Sequence, residues 1–273
     1  MAYKHYRIGD FAKALGVTSD FLKHYEQAGL LQVEHREGGY RFYPFNQSGR
    51  IIEYLRLRNY GVTVKDMQGV LTTDAASAMA MLDAKAEELQ RGIERMQAIV
   101  RAHEALRTWF AARKAKPIDW EIREVEPHVF LPHTDTQAFR TDARMTALIK
   151  EWCAWMPVTK SAMAVDLASS VPEERLHWGF ALPESALRRH RLPVNDVLQT
   201  CSFGKALVFH FIGLQGVFKM SAVLDGRHPA FELVRELGFR VAGRSLLINE
   251  MRLTDEEGCV DVGVGRFIIP VVR

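Results

Sequence analysis

The run Arg7-Ile8-Gly9-Asp10-Phe11-Ala12-Lys13-Ala14-Leu15-Gly16-Val17-Thr18-Ser19-Asp20-Phe21-Leu22-Lys23-His24-Tyr25-Glu26-Gln27-Ala28-Gly29 holds two short apolar periods on either side of a glycine. Ile8, Phe11, Ala12 and Leu15 recur at helical spacing and predict a helix over 7–15 with one apolar face. Gly16 interrupts it, Val17 supplies an apolar plug, and the hydroxyl of Thr18 or Ser19 can cap a new helix. That second helix, from Ser19 to Ala28, turns Phe21, Leu22 and Tyr25 to one side and stops at Gly29, a residue that ends helices without a Cβ penalty. Helix, short turn, helix is the helix-turn-helix pattern, in which the second helix lies in the major groove of DNA.

Downstream, Leu30-Leu31-Gln32-Val33 and Glu37-Gly38-Gly39-Tyr40-Arg41-Phe42-Tyr43 read as two strands around a glycine-bearing turn. A basic, aromatic hairpin directly after a helix-turn-helix reads as a wing that grips the sugar-phosphate backbone. Two amphipathic helices follow, over 47–59 and 63–71, and Thr63 with Asp66 forms a capping-box variant. From Asp74 to Lys114 there is no proline and a single glycine. In it Leu82, Ala86, Leu89, Ile93, Met96, Val100 and His103 step alternately four and three residues apart. That is a heptad seam, which one helix cannot bury alone, so a partner helix is implied. The alternative is that the stripe packs on the chain's own back half.

Composition agrees with two modules. A chain of 273 residues suggests about two domains, and 48% hydrophobic with 25% charged residues is ordinary for a globular protein. No apolar run approaches the ~20 residues a bilayer needs. Residues 1–10 lack a signal-peptide core, and three scattered cysteines (Cys153, Cys201, Cys259) make neither a disulfide framework nor a zinc signature, so the cytosol is expected. Residues 1–116 carry 18 Lys/Arg against 13 Asp/Glu, whereas residues 117–273 carry 18 against 20. All seven tyrosines fall within the first 60 residues, and four of the five tryptophans lie beyond residue 115. A basic front hints at nucleic acid.

Pro117 closes the long helix. The back half divides into two similar runs. The first is strand 120–130, helix 138–156, strand 161–167 and strand 175–182; the second is strand 204–213, helical stretch 218–237, strand 245–253 and strand 259–271. Two β-α-β-β units in sequence suggest an α+β domain with a pseudo-twofold axis and a cleft between halves. The ten histidines are scattered, with His128 and His133 around Pro132, and no His-Glu-x-x-His occurs. With no Ser/His/Asp spacing and no evident carboxylate pair, no catalytic activity, metal or cofactor is expected. The domain scheme is 1–73 for DNA binding, 74–116 for dimerisation and 117–273 for the α+β domain.

Tyr6-Arg7-Ile8-Gly9-Asp10-Phe11-Ala12, Gly16-Val17, Tyr25-Glu26-Gln27-Ala28-Gly29-Leu30-Leu31, Gly39-Tyr40-Arg41-Phe42-Tyr43 and Leu57-Arg58-Asn59-Tyr60-Gly61-Val62 together resemble the MerR family of transcription regulators. The resemblance spans residues 6–71. It implies DNA contacts from Thr18, Ser19, Lys23, His24 and Tyr25, with Arg7, Tyr40 and Arg41 on phosphates. Tyr25 is also a candidate core residue, Arg56 and Arg58 divide between solvent and phosphate, and Glu26 is read as a brace for a basic neighbour. Lys23-His24-Tyr25-Glu26 departs from the family's Arg-Tyr-Tyr-Glu, which puts the operator in doubt. The resemblance further implies an antiparallel homodimer through the long helix. It also implies promoter DNA distorted so that RNA polymerase engages an overlong spacer.

Gly204-Lys205-Ala206-Leu207-Val208-Phe209-His210-Phe211-Ile212-Gly213, Phe231-Glu232-Leu233-Val234, Gly238-Phe239-Arg240-Val241-Ala242-Gly243 and Ile268-Ile269-Pro270-Val271 are similar to the GyrI-like effector domain of drug-responsive MerR regulators. In that class a lipophilic, often cationic, aromatic effector lies between ring faces and a buried carboxylate. Glu250 is the candidate carboxylate, because strand alternation puts it with Leu246 and Ile248. Trp152, Trp155, Trp178, Phe180, Phe209 and Phe211 are candidate walls, with Met163 and Met220 as fillers. Glu250 pairing with Arg252 or Arg266, and the tryptophans as core, are the competing assignments. The region has no tyrosine, so hydroxyls beside the carboxylate would be missing. The rival function is an architectural DNA binder indifferent to small molecules.

Overall fold

The computed structural model describes residues 3–35, 39–135, 138–171, 175–215, 220–254 and 261–273. The chain forms two compact units, residues 1–94 and 95–273.

The first unit opens with β1 (His5–Arg7), α1 (Ile8–Leu15) and α2 (Ser19–Gln27), then β2 (Glu34–His35) and β3 (Arg41–Pro44). A 3-10 turn (Phe45–Gln47) leads into α3 (Ser48–Asn59), α4 (Val64–Thr72) and the long α5 (Ala75–Arg113). Gly16 caps α1 at φ +67°, a conformation that costs other residues a Cβ clash. Thr18 starts α2, its hydroxyl accepting the Phe21 N–H at 3.0 Å. At α4 the expected capping box is different: the Thr63 hydroxyl donates to Asp66 Oδ2 at 2.6 Å and makes no side-chain bond to the backbone. Asp74 caps α5, accepting the N–H groups of Ala76 and Ser77 at 3.0 Å each. The strands form an antiparallel sheet in the order β1-β3-β2. Glu37 and Gly38, expected at the hairpin tip, lie outside the described residues. Phe11, Leu22, Tyr25, Tyr43, Ile51, Tyr54, Leu57 and Met67 interlock as the core, and the Tyr54 hydroxyl donates to the Leu30 carbonyl at 2.7 Å.

In the second unit the strand expected over 120–130 is two strands, β4 (Ile118–Val125) and β5 (His128–Pro132). Pro127 has no N–H for a ladder, and beyond it the chain changes partner, β4 pairing with the distant 204–215 strand and β5 with 176–183. β6 (Thr134–Asp135) and β7 (Ala138–Phe139) make a small hairpin where the expected helix begins. α6 (Ala143–Ala154) starts at Asp142, whose carboxylate accepts the Arg144 N–H at 2.8 Å. Then come β8 (Lys160–Val165), β9 (Leu176–Pro183), the unexpected α7 (Glu184–His190), β10 (Gln199–Cys201) and β11 (Gly204–Gln215). The expected helix 218–237 is divided into α8 (Met220–Leu224) and α9 (Pro229–Glu236), with Gly226 at φ +65° between them. Phe218 is outside the described residues, as is Cys259, the expected start of the last strand. The chain ends in β12 (Arg240–Val241), β13 (Ser245–Thr254) and β14 (Asp261–Val272).

Eight of these strands form one path, β10-β5-β9-β8-β13-β14-β11-β4, every neighbour antiparallel, with β12 pairing β14 to one side. Alternation divides the sheet into two unlike faces. One buries Met163, Phe209, Phe211, Leu247 and Phe267 against Val223, Phe231 and Val234 of α8 and α9. Val129, Leu131 and Leu182 meet Met145, Leu148 and Trp152 of α6. The opposite face is lined mainly by small and branched side chains, Ala162, Ala164, Ala181, Ala206, Val208, Leu246, Ile248 and Ile268, with Phe130 and Phe203 among them. On the helix-covered face Gly265 stands opposite Phe211, and a Cβ on it would lie 2.2 Å from the Ile248 carbonyl oxygen.

Candidate nucleic-acid interface and ligand cavity

The capped start of α2 presents Thr18, Lys23 and His24 to solvent, with Ser19 half-buried. Thr18 is committed to the cap through its hydroxyl oxygen, and Lys23 rests on Asp20 at 2.9 Å, an exposed pair that yields easily to a phosphate. Tyr25 is corrected from a DNA contact to a core residue. It is 2% exposed, stacks on Phe21 with centroids 4.1 Å apart and tilts against Tyr54 at 5.3 Å. Burial raises its pKa.

Glu26 joins α2 to the hairpin. Its carboxylate accepts from Arg41 Nε at 3.1 Å and from the Tyr43 hydroxyl at 3.3 Å, and lies 3.3 Å from His35. Burial, reinforced by the Glu26 charge, pushes the Tyr43 phenol up to about 12, so it stays a donor. Arg41 is therefore partly engaged inside the fold, while Tyr40 is exposed with the Arg7 guanidinium 5.1 Å from its ring centre. Arg56 is held by Glu53 at 2.6 Å. Arg58 lies over the Phe21 ring and lines a shallow hollow with Thr18 and His24, which adds a cation to this surface.

Along α5, Leu82 packs into the first core, while Leu89, Ile93, Met96 and Val100 are 44–58% exposed and Ala86 and His103 are also exposed. An apolar stripe this open on one helix is unusual without something to cover it.

Within the second unit the C-terminal half of α5 borders a cavity of about 380 Å³, in the range of small-molecule sites, to which the sheet contributes Lys160, Pro183, Glu250 and Arg266. Ala98, Ala102, Ala105, Leu106 and Trp109 of α5 form one wall, and Pro157, Val158, Pro183 and Ala186 the other. A hollow of about 470 Å³ adjoins it, sharing Val158, Lys160, Pro183 and Arg266. At the floor is Glu250. The β13–β14 register shifts between Asn249 and Met251, so Glu250 is the extra residue of a bulge, a device that re-aims side chains. Its side chain is 1% exposed and bonded to Lys160 Nζ at 2.5 Å and to Arg266. Burial raises the Glu250 pKa, but Arg266 and Lys160 outweigh it and leave the carboxyl below its ordinary value.

These positions revise the expected ligand site. Glu250 does line the cavity, but both its oxygens are already neutralised by cations from neighbouring strands, so it is not an open anchor for a cationic drug. Of the expected walls, none lines the cavity. Trp152 of α6 is fully buried, donating from its indole to the Pro193 carbonyl at 3.2 Å. Trp155 and Phe180 pack against the same cluster, and Met163, Phe209 and Phe211 are core on the helix-covered face with Trp178 at its edge. The Met220 side chain lies outside what is described. The residues that matter instead, Trp109, Lys160, Arg101, Arg189 and His190, carry no local sequence signal of a pocket, because they meet through the sheet register and α5.

Beside the cavity, the buried His210 of β11 fastens α5 to the sheet. Its Nδ1 accepts from the Trp109 indole at 3.2 Å, and its Nε2 lies 3.3 Å from Arg113 and 3.5 Å from Glu121. Burial and the nearby Arg113 push the His210 pKa down to about 4. His210 also stands opposite Arg266 in the ladder, one residue from the Glu250 cluster.

Residues 6–74 match the MerR HTH family regulatory protein. The mercuric resistance operon regulatory protein of Bacillus cereus is 33% identical over 103 residues, 35% of this chain and 78% of that protein. The HTH-type transcriptional regulator ZntR homolog of Haemophilus influenzae is 30% identical over 101 residues, 36% of this chain and 71% of that protein. Among solved structures, the EcmrR-DNA complex in EcmrR-RPo aligns with 98% of this chain and 100% of that chain, at a TM-score of 0.37 and 15% identity. HiNmlR, a MerR family regulator lacking the sensor domain and bound to promoter DNA, aligns with 41% of this chain and 90% of that chain, at a TM-score of 0.33 and 18% identity. With two relatives matched over more than two thirds of their own length, and with the capped helix-turn-helix in place, this chain belongs to the MerR HTH family and is a DNA-binding transcriptional regulator.

Proposed function

We propose that the protein is a homodimeric MerR regulator that responds to a small organic effector in the cavity under α5. The observation that carries this reading is the cavity itself, because one of its walls is the helix that also bears the exposed heptad stripe. A molecule that fills the cavity therefore acts directly on the helix that would pair the two chains. The α5 stripe supports an antiparallel coiled coil with a second copy, burying Leu89, Ile93, Met96 and Val100. The strand order, in which β5-β9-β8 is answered by β11-β14-β13, supports a GyrI-like domain of two repeated units. The scheme 1–73, 74–116 and 117–273 follows from these assignments, with the protein acting on promoter DNA in the cytoplasm.

At the DNA, Thr18, Ser19, Lys23 and His24 would face the major groove. Arg7, Tyr40, Arg41 and Arg58 would meet backbone phosphates, the β2–β3 hairpin acting as a wing. Effector binding would change the setting of the two arms and distort the promoter so that RNA polymerase engages it. Such bending costs on the order of 1–6 kcal/mol, which sets the preference the effector must have for the activating state.

Selection of operators from a random duplex library by the full-length protein tests the reading. Dyad-symmetric sites bound by two chains are expected. Arg7→Ala should weaken binding across all selected sequences and remove one phosphate contact per chain, two per dimer, a salt-slope change of ~1.8. Sites without symmetry, bound by one chain, would remove the dimeric regulator.

A further inference from the structure

The charge around the cavity points away from the cations expected of a drug-responsive regulator. Arg101, Lys160, Arg189 and Arg266 line it against a single carboxylate, Glu250. Including the adjoining hollow adds Arg123, Glu124 and Glu126, which still leaves five cations against three carboxylates. Glu250 is saturated, bonded to both Lys160 and Arg266. Among the described residues, Arg101 and Arg189 have no carboxylate partner, and both are exposed at the rim. His190, between them at the cavity wall, has its pKa lowered by burial and by both guanidinium groups. The remaining wall is alanine, proline, leucine and the Trp109 ring, which can take the apolar body of a ligand.

From this juxtaposition of a surplus of guanidinium and ammonium groups with an apolar wall, we infer that the cavity binds an organic anion: an apolar body ending in a carboxylate, sulfonate or phosphate. The inference rests on the effector-sensing reading and names the class of its ligand. The acidic head would sit toward Arg101 and Arg189 and share Lys160 and Arg266 with Glu250, while the body lies along α5. A cation entering the same space would meet four like charges, and Glu250 could receive it only by releasing two partners already in place.

Titration of the full-length protein with 8-anilinonaphthalene-1-sulfonate and with tetraphenylphosphonium, followed by calorimetry, tests it. Saturable binding of the sulfonate, one per chain and at least tenfold tighter than the phosphonium, is expected. The double variant Arg101→Gln/Arg189→Gln, whose side chains are exposed, should weaken the sulfonate about tenfold with its melting temperature unchanged. Glu250→Gln should tighten it by freeing Lys160 and Arg266; should that variant fail to fold, the rim pair alone decides. Tighter binding of the phosphonium, lost in Glu250→Gln, would overturn the anion and leave the sensor. Sulfonate binding indifferent to Arg101 and Arg189 would overturn this site. Saturable binding of neither probe would overturn the sensor reading and the anion with it.

Discussion

His228 illustrates how a single side chain can hold two roles that sequence hides. Its Nδ1 accepts the Ala230 N–H at 3.1 Å and so caps α9, while its ring stands edge-on to Phe267 with centroids 5.0 Å apart. Acting as an acceptor requires the neutral ring, and burial pushes its pKa down to about 4. A histidine whose folded pKa lies below its unfolded value of ~6.5 contributes stability that is complete above pH 6.5 and withdrawn as pH falls toward 4. Between pH 7 and 5 that withdrawal is about 2 kcal/mol. His228→Asn keeps a capping oxygen and removes the titration, so its urea midpoint should fall less between pH 7 and 5 than that of the wild type. Equal falls in both proteins would show that the ring does not stay neutral in the fold. The neighbouring His210, also pushed down to about 4, leaves an acid-sensitive remainder in the variant. At this scale the sequence was informative where the chemistry is local. Thr18 and Gly16 announced a cap and a stop that the structure contains, and Glu26 was rightly read as a brace. Tyr25 was ambiguous because a phenol suits both a core and a phosphate.

For elements, legibility followed the range of the interactions that shape them. α1 to α5 were readable because their caps, glycines and periodicity lie within a few residues of each other. The strand over 120–130 and the helix over 218–237 were each drawn as one element although Pro127, and then Gly226 and Pro229, mark the breaks in the sequence. α7 escaped because seven residues span only two turns, too few for a periodicity to register. α5 is where the element makes its strongest demand. Its exposed stripe is apolar at Leu89, Ile93, Met96 and Val100, which a solitary helix has no reason to keep. A charge placed in the middle of that stripe must lose its hydration in a paired coil and keeps it in a monomer. Ile93→Asp should therefore convert the dimer to monomers in sedimentation equilibrium, with the melting of each chain's own two units little changed. Dimers that persist at micromolar concentration would mean that the stripe is covered in some other way.

In the whole molecule, the chain has two composition regimes and two compact units, whereas the candidate ligand cavity was not legible in the sequence. Glu250 could be singled out because a carboxylate that alternation puts with Leu246 and Ile248 needs a partner. Which partners, and on which face, depends on the β8–β13–β14 register and its bulge, and a shift of one residue reverses every assignment. The aromatic walls failed for the same reason: α8 and α9 pack on one sheet face and make the rings at Phe209 and Phe211 core, whereas α5 stands over the other face and borders the cavity. If an effector acts through α5, the Trp109–His210 bond is the place where wall and sheet are fastened, since the indole N–H reaches the ring from the helix side. Coupling between effector and operator is a free energy that belongs to both sites, so it must appear equally in either titration. We expect 8-anilinonaphthalene-1-sulfonate at saturation to change operator affinity by a factor of about 5–150, and saturating operator to change the sulfonate affinity by the same factor. Trp109→Phe keeps most of the wall but removes the donor to His210, and should bring that factor toward one while each ligand still binds alone. Anisotropy titrations with labelled operator, with and without the sulfonate, measure both arms. A variant that keeps the full factor would show that the effect of the ligand reaches the DNA without this bond, and unequal factors in the two directions would mean that the two ligands are not meeting on the same dimer.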